Sequence, residues 1–285
     1  LKILRHFSTK VPFCVSAGEI MDINKLPLSI QNYVMNHPYE TDRVGESDSK
    51  VFLFDNMVLK IEKSCNHSNR EYEALKWLDG RLSVPEIIAF EKSDGYNYLL
   101  MSRIKSKTMI DDITKCNPYK LVEAMADGIK QLWAIDINDC PLDSRLPSQL
   151  LEAKYRLDND LVDTEDFEED TLGDNGFKSV DELYKFLKNN QPDEDLVFTH
   201  GDYCLPNLFV KGNKTIGFID LGKAGIADRW QDLALCIRSM KYNFCSIRGL
   251  DENEFAELRN YLLSLLNIQL DEEKLRYYIL LDELF

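Results

Sequence analysis

Two short segments carry polar side chains that could act on a phosphate. They are His200-Gly201-Asp202-Tyr203-Cys204-Leu205-Pro206-Asn207 and Phe218-Ile219-Asp220-Leu221-Gly222. Asp202 lies on a loop between two apolar segments, five residues before Asn207, and Asp220 ends the apolar segment that follows these two, just before Gly222. Phosphoryl transfer from a nucleotide needs one carboxylate to orient the attacking hydroxyl, and a second carboxylate and an amide oxygen to hold Mg²⁺. The spacing therefore predicts that Asp202, Asn207 and Asp220 come together at a site for phosphoryl transfer.

A lysine and a glutamate nearer the start of the chain fit the same chemistry. Lys60 ends the apolar run Met57–Leu59, as the phosphate-pairing lysine of a kinase does. Glu71 lies on the apolar face of a helix predicted over Asn69–Leu78, and we expect it to hold Lys60 extended. The alternative for Glu71 is a partly exposed helix charge. Glu73 is off that face and is expected to be solvated.

The elements that must position these residues fall into two regions. Residues 44–101 form a β-rich unit with one helix, and the link near 102–106 leads to a larger, mostly helical region. Predicted strands are Val51–Phe54, Met57–Ile61, Val84–Phe90, Tyr96–Met101, Leu196–Thr199, Leu208–Val210 and Ile216–Ile219. One predicted helix begins at the Asn117-Pro118 cap. Other predicted helices cover Asp181–Lys188, 229–240, 254–266 and 271–284. This layout predicts an α+β fold with two lobes.

Composition excludes several classes of protein. The net charge of −15 argues against duplex DNA or an anionic membrane as the main partner, because both require a basic surface. The chain has no apolar run of about 18 residues, so no membrane-spanning helix is expected. The seven cysteines have no C-x-x-C spacing, which is typical of thiols in a reducing compartment.

Residues 1–20 differ from the rest of the chain. They hold three basic residues and one acid, and Met21 follows them directly. We expect Met21 to be the natural start and residues 1–20 to be upstream sequence. Without them the charge is 31 − 48 = −17, from 34 − 3 basic and 49 − 1 acidic residues.

The ordered motifs resemble those of the aminoglycoside 3′-phosphotransferases, antibiotic-resistance kinases with a protein-kinase-like fold. The resemblance runs from about Glu40 to Phe285. It rests on R-E-Y-E-A-L-K-W-L at 70–78, H-G-D-Y-C-L-P-N at 200–207, G-F-I-D-L-G-K-A-G at 217–225, A-D-R-W-Q-D-L-A at 227–234 and the Y-I-L-L-D-E-L-F terminus. It implies a cytoplasmic bacterial enzyme with a nucleotide-binding lobe at 21–101, a hinge at 102–106 and a catalytic lobe at 107–285.

The resemblance also implies a role for each matching residue. The co-substrate would be ATP or GTP with two Mg²⁺ ions, and the acceptor would be the 3′-hydroxyl of an aminoglycoside such as kanamycin. It implies that Asp202 is the catalytic base and that Asn207 and Asp220 are the magnesium ligands. Lys60 and Glu71 match the pair that positions the phosphates. Nucleotide contacts would come from Ser47 in the loop over the phosphates and from the backbone of Ser102 and Ile104. Aminoglycoside contacts would come from Glu165, Glu168, Asp282, Glu283 and the carboxylate of Phe285.

An acidic segment gives the negative charge a possible use. Residues 158–170 hold eight Asp or Glu and no Lys or Arg. Such a run is usually a solvated face or a disordered loop. Beside a kinase-type centre, it is instead expected to form one wall of a cleft for a cationic substrate, with the C-terminal helix as the other wall.

Several residues keep more than one interpretation. Asp232 is expected to be a buried carboxylate that binds backbone N–H groups of the catalytic loop, rather than a substrate contact. His200 is expected to support that loop. Arg238 could bind a substrate or pair with a local acid. Lys223 replaces an arginine that is common in the family, and lysine lacks the planar fork that a bidentate contact would need. Val58 stands where one branch of the family stacks an aromatic ring on adenine.

Three other functions remain open at this point. A kinase for another amino-alcohol or a macrolide would share the H-G-D-x-x-x-x-N pattern but would not need the acidic segment. A protein kinase would be expected to carry H-R-D and a glycine-rich loop, and here Gly45–Lys50 holds a single glycine. A nucleotide-binding scaffold without turnover would not need all three catalytic oxygens. No nucleic acid, membrane or obligate protein partner is expected.

Overall fold

The structure is a computed structural model. It describes residues 21–42, 49–64, 69–165 and 167–285. The predictions about residues 1–20 and about Ser47 lie outside the described residues.

The first lobe is built on a five-stranded antiparallel sheet. Its strands are β1 (Glu40–Asp42), β2 (Lys50–Leu53), β3 (Met57–Lys63), β4 (Ile87–Ser93) and β5 (Tyr96–Ser102). They lie in the order β1-β2-β3-β5-β4. Asp55 and Asn56 form the turn from β2 to β3, and Asp94 and Gly95 form the turn from β4 to β5 with positive φ values of 51° and 78°. β3 therefore lies in the middle of the sheet and carries Lys60 there.

Two helices pack with this sheet. They are α1 (Leu28–Val34), before β1, and α2 (Arg70–Leu78), between β3 and β4. Ile30 and Val34 of α1 join a small core with Phe52, Leu59 and Leu100 of the sheet. On α2, Glu71 is buried together with Ala74, Leu75 and Leu78, while Glu73 is exposed. The predicted orientation of α2 therefore agrees with the structure.

The second lobe is mainly helical. Its helices are α3 (Pro118–Trp133), α4 (Leu146–Asp158), α5 (Val180–Asn189), α6 (Arg229–Lys241), α7 (Glu252–Leu266) and α8 (Glu272–Asp282). A π-helical segment, Tyr242–Ile247, follows α6. Asn117 caps α3 by accepting a hydrogen bond from the N–H of Tyr119, with Pro118 as the first helical residue. The apolar side chains of α3 and α6 are buried in one large core shared with α7 and α8.

Five short strands complete the second lobe. They are β6 (Lys107–Thr108), β7 (Leu196–Thr199), β8 (Leu208–Lys211), β9 (Lys214–Phe218) and β10 (Gly225–Asp228). β7 pairs with β10, and β8 lies between β6 and β9. The loop from β7 to β8 carries Asp202 and Asn207, and the chain after β9 carries Asp220. These small sheets thus bring the two motifs of the sequence together.

The predicted two-lobed α+β fold is confirmed by this architecture and by the solved structures described below. The sequence did not predict α1, α4, β1, β6 or β10. Trp230 is buried, as expected of a core residue, whereas Trp133 is only partly buried and lies under the guanidinium of Arg229, 4.8 Å from its ring centroid. Among the described residues, no helix is both long and apolar enough to cross a membrane.

Candidate active site

The loop after β7 is held at its start by Asp232. This buried carboxylate of α6 accepts hydrogen bonds from the backbone N–H of His200 at 2.7 Å and of Gly201 at 2.8 Å. Burial raises the pKa of Asp232 to about 6, although His200 and the two backbone donors favour its charged form. Asp232 therefore fixes the loop from behind, in agreement with the role expected from the sequence.

The imidazole of His200 connects the loop to the next strand. Its Nδ1 accepts a hydrogen bond from the N–H of Asp202 at 3.2 Å. Because Nδ1 is the acceptor, Nε2 carries the proton and donates to the carbonyl of Ile219 at 2.8 Å. His200 thus links the backbone of Asp202 to Ile219, the residue before Asp220. It acts as a supporting group.

Asn207 lies directly against Asp202. Its Nδ2 donates to Asp202 Oδ2 at 2.9 Å and to the carbonyl of Asp202 at 3.0 Å. Both partners are acceptors, so the atom that faces them must be the amide nitrogen. The amide oxygen of Asn207 takes no part in the contact with Asp202. The carbonyl of Asn207 accepts from the N–H of Ile219 at 3.1 Å, which brings Asp220 next to this loop.

Asp220 has an unusual backbone conformation. Its φ is 58° and its ψ is 55°, in the left-handed region that aspartate tolerates better than most residues. The side chain is 53% exposed, so its carboxylate is accessible from the cleft. Asp220 Oδ1 also lies 3.4 Å from Lys60 Nζ, which brings the first lobe to the second.

Lys60 is paired with Glu71 as predicted. Lys60 Nζ donates to Glu71 Oε2 at 2.6 Å, and the two side chains are 16% and 5% exposed. Burial alone would lower the pKa of Lys60, but the carboxylates of Glu71 and Asp220 outweigh it and raise the pKa above its usual value. Lys60 is therefore a permanent, desolvated cation beside Asp220.

The oxygen atoms around Asp220 suit a hard divalent cation. The described residues contain no group of three or more His, Cys, Asp or Glu side chains that could hold a metal by themselves. Magnesium commonly takes only one or two protein carboxylates and completes its shell with phosphate oxygens and water. The accessible carboxylate of Asp220 and the amide oxygen of Asn207 fit that pattern.

The predicted hinge, residues 102–106, begins at the last residue of β5 and ends just before β6. The N–H of Ser102 donates to the carbonyl of Glu86 at 2.8 Å, and the Ser102 hydroxyl accepts from the N–H of Glu86 at 2.8 Å. The side chain of Ile104 lies over Gly217, where a Cβ atom would come within 2.8 Å of Ile104 Cδ1. Ile104 therefore packs onto the strand that precedes Asp220.

Near the C-terminus, Asp282 is already paired with two cations. Its carboxylate accepts a hydrogen bond from Arg238 Nη2 and lies 3.3 Å from Lys223 Nζ. Asp282 outweighs the effect of burial and raises the pKa of Arg238, which also feels the charges of Glu168 and Asp202. This assigns partners to Arg238 and Lys223, whose roles the sequence left open. Local sequence patterns carry no signal for such a pairing over 44 residues.

Glu283 and the acidic segment meet at the same place. Glu283 is 8% exposed, and its Oε1 accepts from the N–H of Glu168 at 3.1 Å and the hydroxyl of Thr171 at 3.0 Å. Its Oε2 is buried without a hydrogen-bond partner among the described residues. Burial raises the pKa of Glu283 to about 7. Thus the loop around Glu168 packs directly on the C-terminal residues.

The last residues are held by a side chain that the sequence analysis did not identify. Arg156 of α4 donates to the carbonyl of Leu284 at 2.9 Å and to an oxygen of Phe285 at 3.1 Å. Lys223 Nζ lies 5.6 Å from the ring centroid of Phe285. Glu165 and Glu168 are exposed on the acidic segment. The structure therefore brings Glu168, Asp282, Glu283 and Phe285 together.

The fold, and this grouping of a lysine–glutamate pair with two aspartates and an asparagine, define a kinase-like phosphotransferase. The sequence model of the phosphotransferase enzyme family matches residues 40–273 of this chain. Relatives named aminoglycoside 3′-phosphotransferase include one from Enterococcus faecalis, 41% identical and covering 86% of this chain and 92% of its own. Another, from Escherichia coli, is 30% identical, with 91% and 95% covered. The chain belongs to this family, and the resemblance seen in its motifs is confirmed.

Solved structures of related fold agree with the architecture. An aminoglycoside phosphotransferase APH(3′′)-Id from Streptomyces rimosus superimposes with a TM-score of 0.78 at 21% identity, over 93% of this chain and 99% of that one. A type VIII aminoglycoside-3′-phosphotransferase superimposes with a TM-score of 0.73 at 24% identity, over 90% and 98%. At these identities the likeness concerns the fold.

Proposed function

We propose that this protein transfers the γ-phosphate of ATP or GTP to a hydroxyl of an aminoglycoside antibiotic. The observation that carries the proposal is the contact of Asp202 with Asn207 beside Asp220, with the Lys60–Glu71 ion pair closing the same site. The names of the relatives at 30–41% identity point to the 3′-hydroxyl as the acceptor. Such an activity would inactivate the antibiotic and confer resistance.

The first lobe would bind the nucleotide. Lys60 is a buried, fully charged ammonium held in place by Glu71, which suits it to contact phosphate oxygens. Ser102 ends β5 and Ile104 follows it by two residues, and their backbone would contact adenine. Because the N–H of Ser102 already donates to Glu86, a backbone N–H for adenine would come from Ile104. In this division residues 21–101 bind the nucleotide, 102–106 form the hinge and 107–285 carry the catalytic groups and the antibiotic site. Ser47, which lies outside the described residues, would contact the β-phosphate, as the resemblance to the family implies.

Asn207 and Asp220 would hold Mg²⁺ in this site. The metal, as two ions in the family pattern, would neutralise charge on the phosphates. Asn207 is preset for this role because its nitrogen is used on Asp202 and its oxygen remains for the cation. A structure of APH(3′′)-Id in complex with ADP and streptomycin supports a nucleotide co-substrate for this fold.

Asp202 would orient the acceptor hydroxyl and take its proton. His200 holds the backbone of Asp202, and Asn207 holds its carboxylate. Little reorganisation is therefore needed when the acceptor arrives. The transition state of phosphoryl transfer is loose, so most of the acceleration would come from this positioning. The reaction therefore depends on the correct distance between the two lobes.

The aminoglycoside would lie between the acidic segment and the C-terminal residues. Glu165 and Glu168 offer exposed carboxylates to an oligoamine. The charge of Asp282 is partly neutralised by Arg238 and Lys223. Asp282 would therefore help to form the wall of the site but attract a cationic antibiotic less than an unpaired aspartate would. Glu283 is buried against Glu168 and Thr171, so it would support this wall from within, and the carboxylate of Phe285 would complete the contacts to the antibiotic.

The proposal is tested by turnover with matched acceptors. Asp202→Ala should reduce phosphorylation of kanamycin below detection and leave nucleotide affinity within about twofold of the wild type. The wild type should phosphorylate kanamycin but not tobramycin, which lacks a 3′-hydroxyl. Equal phosphorylation of both would contradict the 3′ assignment. An Asp202→Ala variant with normal turnover would contradict the role of the catalytic loop.

The location we propose is cytoplasmic. Five cysteines are described as free thiols: Cys116, Cys140, Cys204, Cys236 and Cys245. Free thiols persist in a reducing compartment, and nucleoside triphosphates are available there. Phosphorylation in that compartment would act on the antibiotic after its entry into the cell.

A further inference from the structure

Arg70, the first residue of α2, reaches from the first lobe into the second. Its Nη2 donates to the hydroxyl of Ser144 at 2.7 Å and lies 3.2 Å from the carbonyl of Ala224 and 3.3 Å from the carbonyl of Asp143. One nitrogen with two hydrogens thus contacts three oxygens, so the two longer contacts share one hydrogen. Glu71, the next residue, turns the other way and holds Lys60. The start of α2 is therefore tied to both lobes.

Ser144 extends this contact along the chain that follows Asp220. Its hydroxyl lies 3.1 Å from the carbonyl of Lys223, and its N–H donates to the carbonyl of Ile226 at 3.0 Å. Since the Ser144 hydroxyl accepts from Arg70, its own proton is available for Lys223. Arg70 and Ser144 together hold the carbonyl oxygens of residues three to six positions after the metal carboxylate.

The held segment also supports the catalytic loop. A Cβ atom on Gly201 would lie 2.2 Å from the carbonyl oxygen of Lys223, so the two backbones are in close contact. Gly201 has a φ of 82° and directly precedes Asp202. A shift of the Lys223 carbonyl would therefore be felt at Asp202 as well as at Asp220.

We propose that Arg70 is a positioning residue for phosphoryl transfer. Its guanidinium sets the distance between the Lys60–Glu71 pair and Asp220 by tying the start of α2 to the segment 223–226. The inference rests on the proposed function, because it assigns Asp220 to the magnesium nucleotide. It adds a residue that touches neither substrate nor metal but fixes the groups that do.

The chemistry of arginine suits this task. Arg70 Nε is buried without a hydrogen-bond partner among the described residues, and burial lowers the pKa of Arg70. Even a partly buried guanidinium is costly to desolvate, so the contacts it makes across the lobes must offset that cost. Lysine would keep the charge but offers a single point donor on a shorter reach, so it should restore the contacts only in part.

The test measures ADP binding by titration calorimetry, with Mg²⁺ and with EDTA, on the full chain. Arg70→Gln should weaken binding of ADP with Mg²⁺ at least tenfold and change metal-free ADP binding less than threefold. Arg70→Lys should recover part of the loss. Arg81→Gln is the matched control, since Arg81 pairs with Asp139 at the other end of α2, 2.9 Å away, and should bind ADP as the wild type does.

Two results would overturn the inference. One is an Arg70→Gln variant with wild-type affinity for ADP and Mg²⁺, and the other is an equal loss with and without Mg²⁺, which would indicate general loosening of the fold. If Arg70→Gln does not fold, Ser144→Ala decides, with an expected selective loss of about threefold and no loss as the contradicting result. Failure of the proposed function is a separate outcome, because a wild type that binds ADP with Mg²⁺ but phosphorylates no aminoglycoside leaves this comparison intact.

Discussion

Lys60 and Glu71 show how strongly a functional side chain can depend on one neighbour. The ammonium of Lys60 is only 16% exposed, and a desolvated cation is stable only beside compensating charge. Glu71 supplies that charge at 2.6 Å, whereas Asp220 lies farther away at 3.4 Å. Glu71 therefore determines where the Lys60 ammonium rests before a nucleotide arrives.

Glu71→Gln should lower kcat/KM for the nucleotide by about ten- to hundredfold, or about 1–3 kcal/mol of transition-state stabilisation. The physical reason is that Lys60 would turn toward Asp220 and compete with the metal. Steady-state kinetics with varied ATP measures the change. Glu73→Gln is the control, because Glu73 is exposed on the same helix and should leave kcat/KM unchanged. Equal kinetics of the two variants would contradict this account.

Glu283 makes stability depend on pH in a definite direction. Burial raises its pKa from 4.5 to about 7 in the folded protein, so between these values the folded state binds more protons than the unfolded state. The stability it contributes is complete below pH 4.5 and is lost as the pH rises through about 7. The protonated carboxyl still accepts through Oε1, so its hydrogen bonds to Glu168 and Thr171 survive.

Glu283→Gln should therefore remove part of the pH dependence of stability. Its amide oxygen can keep both hydrogen bonds, and the amide does not ionise. From pH 4.5 to 8 the free energy of unfolding of the wild type should fall relative to the variant by on the order of 2 kcal/mol. Urea denaturation at several pH values measures the difference. Parallel curves for the two proteins would show that Glu283 does not titrate in this range.

At the scale of elements, the catalytic loop depends on one close contact between backbones. Gly201 is in the left-handed region, and Asp232 binds its N–H from behind while the Lys223 carbonyl fills the place of a side chain. The loop can approach the segment after Asp220 this closely only because residue 201 has no Cβ atom. The position of Asp202 relative to Asp220 therefore depends on that approach.

Gly201→Ala should reduce kcat by at least about a hundredfold, because displacement of Asp202 by about 1 Å is enough for such a loss. Gly212→Ala is the matched control. Gly212 also has a positive φ, 66°, but nothing lies within 4 Å of its Cβ position in the turn between β8 and β9. That variant should lose about 1 kcal/mol of stability and keep its kcat. Similar kcat values for both variants would show that the close contact is unimportant.

The elements that the sequence predicts are those with a strong local pattern. α2 was predicted with its buried face because Glu71 shares the helical spacing of Ala74, Leu75 and Leu78. α4 was missed because Leu151 and Tyr155 are 74% and 53% exposed and blur its apolar stripe. β10 has four residues, and its partner β7 lies far along the chain, so no local pattern marks it.

The candidate site divides in the same way. Asp202 and Asn207 lie five residues apart and contact each other directly, so their spacing alone predicted the pair. The pairing of Asp282 with Arg238 and the burial of Glu283 arise where α6, α8 and the acidic segment meet. Such long-range packing leaves no trace in residue spacing, and the resemblance to the family supplied only the residue positions.

At the scale of the whole molecule, the site exists only while the two lobes keep their relative position. The first lobe supplies Lys60 and Glu71, and the second supplies Asp202, Asn207 and Asp220. Backbone contacts cross between them at Ser83, whose carbonyl accepts from the N–H of Phe218 at 3.1 Å and whose hydroxyl donates to the carbonyl of Ile216 at 2.7 Å. Together with Arg70, these contacts hold β9 and the Asp220 segment against the first lobe.

Charge is the other property of the whole molecule that bears on function. Eight of the 49 acidic residues lie within residues 158–170, a segment that packs on the C-terminal residues through Glu168 and Glu283. Carboxylates concentrated on one side of a cleft attract a polycation over a distance set by ionic strength. The two substrates have opposite charges, so salt should affect them differently.

We expect kcat/KM for kanamycin to fall by about tenfold or more as KCl rises from about 10 to 300 mM, while kcat/KM for ATP does not fall in parallel. Glu165→Gln with Glu168→Gln should flatten the dependence on kanamycin, since both carboxylates are exposed on the acidic segment. The control replaces Glu257 and Glu273 by Gln, which removes the same charge from α7 and from the end of α8 opposite Asp282. If kcat/KM for kanamycin depends on salt equally in the two double variants, the effect comes from net charge. If kcat/KM of the wild type does not change across the salt range, the acidic segment does not attract the antibiotic.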